Sequence, residues 1–241
     1  MGLALTLVSG VAWTVVYLVA IRIGFQQRMY AIPAAALAMN IAWESIYATR
    51  GFSTGDLSLQ TFVNLAWALA DLAIVYTFLR YGRRELPDFV SRPIFAAWAV
   101  MIFGTAYVVQ WLFIVEFGWD DAPKYSAFLQ NLLMSVLFIA MFVARQGPRG
   151  QSLVIAVAKW IGTLAPTILI GALAGSAFIL GLGVLCSLFD LAYIGLLFMA
   201  RRGLLGTSSR TAVETTPSRA AEGYVLRHSR QNDSTSSRRS S

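Results

Sequence analysis

The chain has 241 residues, of which 57% are hydrophobic and only 13% charged, and its mean hydropathy is +0.64. Soluble domains average about 45–50% apolar and about 25% charged residues, so this composition is typical of a membrane protein. The single cysteine, Cys186, excludes an internal disulfide framework. The single histidine, His228, lies in a polar tail, which removes imidazole from any site in the apolar part. The basic excess, 19 Lys+Arg against 12 Asp+Glu, fits a membrane surface better than nucleic acid.

Seven apolar runs are long enough to cross a hydrocarbon core of about 30 Å as helices. In chain order they are Leu3–Ile23, Tyr30–Thr49, Thr61–Leu79, Ile94–Val115, Ser126–Ala144, Ser152–Leu173 and Ser176–Met199. The fold is therefore predicted to be all-α, a seven-transmembrane-helix bundle that occupies residues 1–202. Residues 203–241 are rich in Ser, Thr and Arg, and this composition predicts a disordered basic tail because it cannot bury a core.

The basic residues between the spans predict the orientation in the membrane. With seven spans and a cytoplasmic C-terminus, the outside segments carry only Arg50 and Lys124. The inside segments carry ten arginines: Arg22, Arg28, Arg80, Arg83, Arg84, Arg92, Arg145, Arg149, Arg201 and Arg202. The N-terminus is thus predicted to be exoplasmic or luminal. The outside segment Glu116–Lys124 is acidic, with Asp120 and Asp121, and is predicted to be a loop.

Three acids, Glu44, Asp71 and Asp190, lie inside predicted spans. An acidic residue costs about 2.5–3.5 kcal/mol to insert at the centre of a bilayer, so it normally faces a protein interior or a polar cavity. Lys159, the only lysine in a span, lies near enough to the cytoplasmic end to snorkel, so we expect the acids to lack a basic partner. Unpaired carboxyls in a low-dielectric site tend to stay protonated at neutral pH, which makes them proton donors.

The second span concentrates polar groups on one face. Asn40, Glu44 and Tyr47 stand at i, i+4 and i+7, with Trp43 beside them. Two further aromatic residues, Trp67 and Tyr193, lie at the depth of the acids. A lone polar residue in a span often only forms a hydrogen bond with a neighbouring helix. This structural role is the alternative to a catalytic role for each acid. It is also our interpretation of three amide residues: Gln110, Gln130 and Asn131.

Several known kinds of site are missing from the sequence. It contains no Ser/His/Asp set, no H-E-x-x-H, no Cys/His metal spacing and no Asp-rich D-D-x-x-D motif for magnesium pyrophosphate. The last span has no lysine for a retinal Schiff base, and the Pro-Gln pairs of a PQ-loop transporter are absent. Acid chemistry on an apolar substrate, with no metal and no cofactor, is the hypothesis that remains.

Three patches of the sequence resemble a known family. Asn40–Tyr47 reads N-x-x-W-E-x-x-Y, Asp71–Thr77 is followed by Arg80, and Asp190–Tyr193 reads D-x-x-Y. These patches are similar to segments of the small integral-membrane terpene cyclases of fungal meroterpenoid and indole-diterpene pathways and their bacterial relatives, the Pyr4/PaxB-like family. Chain length and the seven-span layout agree with the resemblance over about residues 1–202.

The resemblance implies a non-metal, class II-like cyclase of the isomerase or lyase type. In that family the residues that match Glu44 and Asp190 are regarded as essential for protonating the terminal epoxide or alkene of a prenylated small molecule. Protonation creates a carbocation on the prenyl chain, and aromatic rings could stabilise it through their faces. The candidates for this role are Trp43, Tyr47, Trp67, Tyr76 and Tyr193, and Asn40 and Asp71 are also expected near the substrate.

Two other functions stay open at this stage. A proton-coupled small-molecule transporter could use Glu44, Asp71 and Asp190 as a relay, and a structural or sensory membrane protein could use them only to join helices. A cyclase predicts that Glu44 and Asp190 face one closed, aromatic-lined pocket, whereas a transporter predicts a polar path and two similar halves.

Overall fold

The computed structural model describes residues 1–204, which form one compact unit of helices without strands. This confirms the predicted all-α class, while nearly all of the predicted tail, residues 203–241, lies outside the described residues. The six helices are α1 Gly2–Gln27, α2 Ala34–Thr54, α3 Leu59–Tyr81, α4 Arg92–Ala144, α5 Leu153–Pro166 and α6 Ala177–Arg201. A 3₁₀ turn, Gly82–Glu85, follows α3, and a π-helical turn, Thr167–Leu173, follows α5.

Helix α2 begins four residues later than the predicted Tyr30, at Ala34. The cause is Pro33, whose backbone is extended with ψ 134°. Proline has no N–H to give to a preceding turn and disfavours the helical conformation of the residue before it, so a helix can start after it but not run through it. At the other end α2 continues to Thr54, where Gly55 adopts a left-handed conformation with φ 72° and ends the helix.

Helix α4 is 53 residues long, although the sequence predicted two spans and a loop there. A straight helix of that length would measure about 80 Å. Gly118 interrupts it with φ 71° and ψ 174°, a conformation that only glycine adopts readily. The rings of Phe117 and Tyr125 lie 5.1 Å apart, whereas eight residues of straight helix would separate them by about 12 Å. The chain therefore turns back at Gly118, and the predicted loop Glu116–Lys124 is helical on both sides of this one residue.

The helices close into a ring. Helix α1 packs against α3 and α5, α3 against α2, α2 against α4, α4 against α6, and α6 against α5. Polar side chains from every helix are buried inside it: Tyr17, Glu44, Asp71, Gln130, Lys159 and Asp190. Large apolar residues such as Leu69, Val100 and Leu188 are exposed on the outside. Polar side chains buried in the protein and an apolar exterior are the arrangement that a lipid environment favours.

Within residues 1–204, five segments are long and apolar enough to cross a membrane: α1, α3 with its 3₁₀ turn, α4, α5 with its π turn, and α6. Helix α2, which carries Asn40 and Glu44, is not among them. The count of seven spans therefore stays a prediction.

Candidate functional site

Three residues from three helices form a group that we call the acid cluster: Tyr17 of α1, Glu44 of α2 and Asp71 of α3. The two carboxyls lie close enough to repel each other if both were ionised, and the Tyr17 hydroxyl lies beside Asp71. Glu44 is 6% exposed and Asp71 is fully buried. Within residues 1–204 neither acid forms an ion pair, and the Oε2 atom of Glu44 and both Oδ atoms of Asp71 have no hydrogen-bond partner. These carboxyls therefore keep hydrogen-bonding capacity that the described protein groups do not use.

A chain of buried amides leads to the acid cluster across the ring. Gln110 Nε2 donates to Gln130 Oε1 at 2.8 Å, and Gln130 Nε2 donates to Asn40 Oδ1 at 3.3 Å. Asn40 Nδ2 then donates to the Tyr17 hydroxyl at 3.4 Å. The interhelical role predicted for Gln110 and Gln130 is thus present. The side-chain oxygen of Asn131, in contrast, is buried without a partner among the described residues.

An aromatic group stands next to Glu44 on α2. The Trp43 indole N–H donates to the Pro123 carbonyl at 3.1 Å, which ties α2 to the second half of α4. The rings of Trp43 and Tyr47 lie 4.7 Å apart, and Trp119 meets Tyr47 edge-on at 6.2 Å. The face predicted from the i, i+4, i+7 spacing is therefore buried as a unit, with Asn40, Glu44 and Tyr47 all directed inward.

The other predicted aromatic residues divide into two kinds. Trp67 stacks on Tyr17 at 5.8 Å and donates to Thr14 Oγ1 at 3.3 Å, so it lies against the acid cluster. Tyr76 is 52% exposed and stacks on Phe25 at 5.9 Å, on the outside of the bundle. The structure therefore does not bring Tyr76 to the acids, because its position on α3 faces lipid rather than the ring interior.

Asp190 has a basic partner, which corrects the expectation that all three acids are unpaired. Lys159 Nζ lies 2.8 Å from Oδ1 and 2.9 Å from Oδ2 of Asp190, and 2.7 Å from Ser135 Oγ. Lys159 is fully buried and does not snorkel, because its side chain points into the ring, where the Asp190 carboxyl meets it. We call Ser135, Lys159 and Asp190 the lysine cluster. Tyr193, three residues further along α6, stacks on Phe138 at 5.2 Å and donates to Gln151 Oε1 at 2.6 Å.

Glu44 and Asp190 thus belong to two different clusters, one on α1, α2 and α3 and the other on α4, α5 and α6. A cavity of about 730 Å³ lies elsewhere, as an apolar groove lined mainly by α1 and α5 residues such as Val11 and Val157. It contains neither acid, so it is not the closed, aromatic-lined pocket that the cyclase hypothesis predicted.

The sequence did not lead us to predict Tyr17 or Ser135 as members of these clusters, and it did not lead us to predict Lys159 as the partner of Asp190. For Lys159 a signal existed, since ionisable groups inside a bilayer commonly pair with one another. The only lysine in any span and the only acid in the last span are the obvious pair. For Tyr17 and Ser135 there was no such signal, since both stand in ordinary apolar runs.

Comparison with known proteins adds independent information. The profile of the Pyr4-like transmembrane terpene cyclases matches residues 2–202. A Pyr4-family terpene cyclase of Annulohypoxylon moriforme is 28% identical over 166 residues, which are 66% of each chain. A terpene cyclase of Acremonium egyptiacum is 29% identical over 171 residues, 65% of this chain and 62% of the relative. One of Aspergillus fumigatus is 22% identical over 207 residues, 81% of this chain and 85% of the relative.

The alignments with the first two of these relatives reach just under two thirds of those proteins' length. No solved structure matches the chain. The family profile covers nearly all of the described residues, and the apolar helices agree with it in making this a multi-pass membrane protein. The chain belongs to the Pyr4-like transmembrane terpene cyclases.

Proposed function

We propose that this protein is a metal-free terpene cyclase in which Glu44 donates the initiating proton. The substrate is a prenyl chain, farnesyl or geranylgeranyl in size, carried by an aromatic or heterocyclic core of the meroterpenoid or indole-terpenoid type. One observation carries the proposal: the Glu44 carboxyl is buried inside the helix ring without a cationic partner among the described residues, beside a second acid. The family to which the chain belongs supports the reaction type.

A buried neutral carboxyl suits this reaction because it can protonate a weak base away from water. With an epoxide, a new O–H bond forms while one C–O bond breaks, and the nearest alkene attacks the resulting carbon to form a C–C bond. With a terminal alkene, the proton instead adds to carbon at the expense of the π bond. In either case the last cation loses a proton from a neighbouring carbon, so the product is an isomer of the substrate.

The neighbours of Glu44 have separate tasks in this proposal. The amide of Asn40, one helical turn away, and the carboxyl of Asp71 orient the polar end of the reacting group. The rings of Trp43, Tyr47 and Trp67 stabilise the cation through their faces. Asp190 is the second catalytic residue, and Tyr193 lies three residues beyond it on the same helix.

We further propose that the chain crosses the membrane seven times. The two halves of α4 are then separate spans joined at Gly118, and α2, although more polar, crosses with its acid directed inward. With an odd number of spans, the arginine-rich segments such as Arg80–Arg84 lie on the cytoplasmic side together with the C-terminus. The N-terminus is then exoplasmic or luminal.

The experiment that tests this function uses membranes that contain the wild type, Glu44→Gln or Glu116→Gln. Each is given prenylated aromatic substrates with and without a terminal epoxide, and the products are separated by mass and retention time. Removal of a general acid typically lowers turnover by about 10²–10⁴-fold. We expect that loss for Glu44→Gln and none for Glu116→Gln, because Glu116 is exposed and lies two residues before the turn at Gly118. Cyclised product from a stably expressed Glu44→Gln protein at the wild-type rate would refute Glu44 as the donor.

A further inference from the structure

The two acids assigned to catalysis differ in their surroundings. Glu44 has no cationic partner among residues 1–204, whereas Asp190 has both carboxyl oxygens within 2.9 Å of Lys159 Nζ. The side chains of Lys159 and Asp190 are only 1% and 2% exposed, so water does not separate the charges. A carboxyl that is held by an ammonium is suited to stay ionised, whereas a buried carboxyl without a cationic partner is suited to hold a proton and donate it.

The hydrogen bonds around Lys159 fix its role as a donor. The Ser135 hydroxyl donates to the Asn131 carbonyl at 2.9 Å, so its oxygen is free to accept from Lys159 at 2.7 Å. Together with the two oxygens of Asp190, this gives the three N–H groups of an ammonium three acceptors. Complete pairing of this kind is what allows a charged lysine and a charged carboxylate to remain buried together.

We propose that Lys159, held by Ser135, is a positioning residue that keeps Asp190 as an ionised carboxylate. Asp190 then acts in the cyclisation as a fixed negative charge, while Glu44 alone donates the proton. This inference rests on the proposed function for the reaction it serves, but the charge state of Asp190 can be measured without any substrate.

The electrostatic reason concerns the cation that migrates along the prenyl chain. A carboxylate has about four lone-pair positions, and Lys159 takes two of those on Asp190, which leaves the others for a second positive charge. A fixed anion in a buried site stabilises a developing cation without having to reorganise. Because α5 and α4 hold Lys159 and Ser135 in place, the carboxylate on α6 has one orientation before the substrate binds.

The first test is infrared spectroscopy of the purified full chain in lipid nanodiscs. Only a protonated carboxyl shows the C=O stretch of a carboxylic acid. We expect this band in the difference between wild type and Glu44→Gln, and we expect no such band in the difference between wild type and Asp190→Asn. Lys159→Met should gain an acid band that disappears in the double variant Lys159→Met/Asp190→Asn. An acid band assigned to Asp190 in the wild type would overturn the proposal.

The second test separates positioning from mere stability by activity. Lys159→Arg preserves the positive charge and should keep turnover within tenfold of the wild type, whereas Lys159→Met should fall to the level of Asp190→Asn. The double variant Lys159→Met/Asp190→Asn has no unpaired charge at this site. It should therefore unfold at a temperature near that of the wild type and still be inactive. The matched control is Lys124→Met, which breaks an exposed Lys124–Asp121 pair of the same 2.8 Å length and should leave turnover unchanged.

Recovery of turnover in the double variant would mean that the pair only holds helices together, and it would overturn the proposal. Equal loss in a folded Lys159→Arg and a folded Lys159→Met would also overturn it, because charge would then not be the property that matters. If the wild type cyclised none of the substrates, the proposed function would fail on its own. The infrared result would still decide the charge state of Asp190.

Discussion

Gln110 and Gln130 lie twenty positions apart, one in each half of α4, and their side-chain amides are joined by a buried hydrogen bond of 2.8 Å. In a straight helix those positions would be about 30 Å apart. The bond therefore depends on the reversal at Gly118 and joins the two halves of α4. Since Gln130 also reaches Asn40, the turn in α4 places the polar face of α2 in the amide chain that ends at Tyr17.

Gly118→Ala should destabilise the protein, because φ 71° with ψ 174° is a region that a residue with a Cβ atom occupies only under strain. The expected cost is about 1–3 kcal/mol. Gly104→Ala is the control in the same helix, since its added Cβ would meet nothing within 4 Å and alanine is the better helix former. Thermal unfolding in detergent should show a lower midpoint for Gly118→Ala alone. Equal midpoints for both variants would contradict the strain at Gly118.

The Gln110–Gln130 bond should be measurable as a coupling energy. In a double-mutant cycle with Gln110→Leu and Gln130→Leu, we expect a coupling of about 0.6 kcal/mol, and at most about 1.7 kcal/mol, as for other hydrogen bonds between membrane helices. The free energy of unfolding of the four proteins gives this value. The cycle also removes the separate effect of losing the Gln130–Asn40 bond. Strictly additive single changes would show that the two amides do not interact.

Trp43 and Tyr76 allow a direct comparison of an inward and an outward aromatic ring. Trp43→Leu should lower turnover about 2- to 30-fold, which corresponds to a cation–π contribution of about 0.5–2 kcal/mol. Tyr76→Leu should not change turnover, because the Tyr76 ring is 52% exposed and stacks on Phe25 outside the ring of helices. Steady-state rates on one substrate provide the measurement. An equal loss in both variants would point to a general effect on folding.

Replacing Arg145 even with lysine should lower the free energy of unfolding. Its guanidinium pairs with Glu85 at 3.3 Å, donates to the carbonyls of Tyr30 at 2.9 Å and Arg149 at 3.1 Å, and lies 4.6 Å from the centre of the Tyr30 ring. A lysine ammonium cannot serve these groups together, so Arg145→Lys should cost about 1–3 kcal/mol, the usual penalty for a buried polar group left without its partner.

The control for Arg145 is Arg149→Lys. Arg149 also pairs with Glu85, but at 3.7 Å and with a side chain that is 69% exposed. Its substitution should change the free energy of unfolding by less than about 0.5 kcal/mol. Equal losses for the two arginines would mean that the Glu85 charge, rather than the buried hydrogen bonds of Arg145, determines stability.

The polar face of α2 could be predicted because it depends only on helix geometry. Asn40, Glu44 and Tyr47 follow the helical repeat, so their common burial needed no knowledge of any other segment. The all-α class followed in the same way from the length of the apolar runs. Hydropathy alone predicts the start of α2 at Tyr30, four residues early, because it does not register that Pro33 prevents the helix from beginning before Ala34.

The partners of the acids could not be predicted with equal ease, because they depend on which helices become neighbours. The position of Lys159 along its span predicts that it snorkels toward the cytoplasmic end, but depth does not say whether a side chain points outward or into the ring. Tyr17 meets Asp71 only because α1 packs beside α3, and nothing in its own apolar run indicates that contact. Tyr76 shows the opposite error, since a ring near an acid in sequence can still face lipid.

The ring of helices also constrains the order of assembly during synthesis. Helix α1 is made first, but one of its two neighbours, α5, follows more than a hundred residues later, and the Ser9 hydroxyl donates to the Gly162 carbonyl across 153 positions of sequence. Until α5 has entered the bilayer, the α1 side that carries Ser9 faces lipid, where an unsatisfied hydroxyl is unfavourable. A chain synthesised only as far as Leu153 therefore forms an open arc of helices, which closes into the ring once α5 packs against α1.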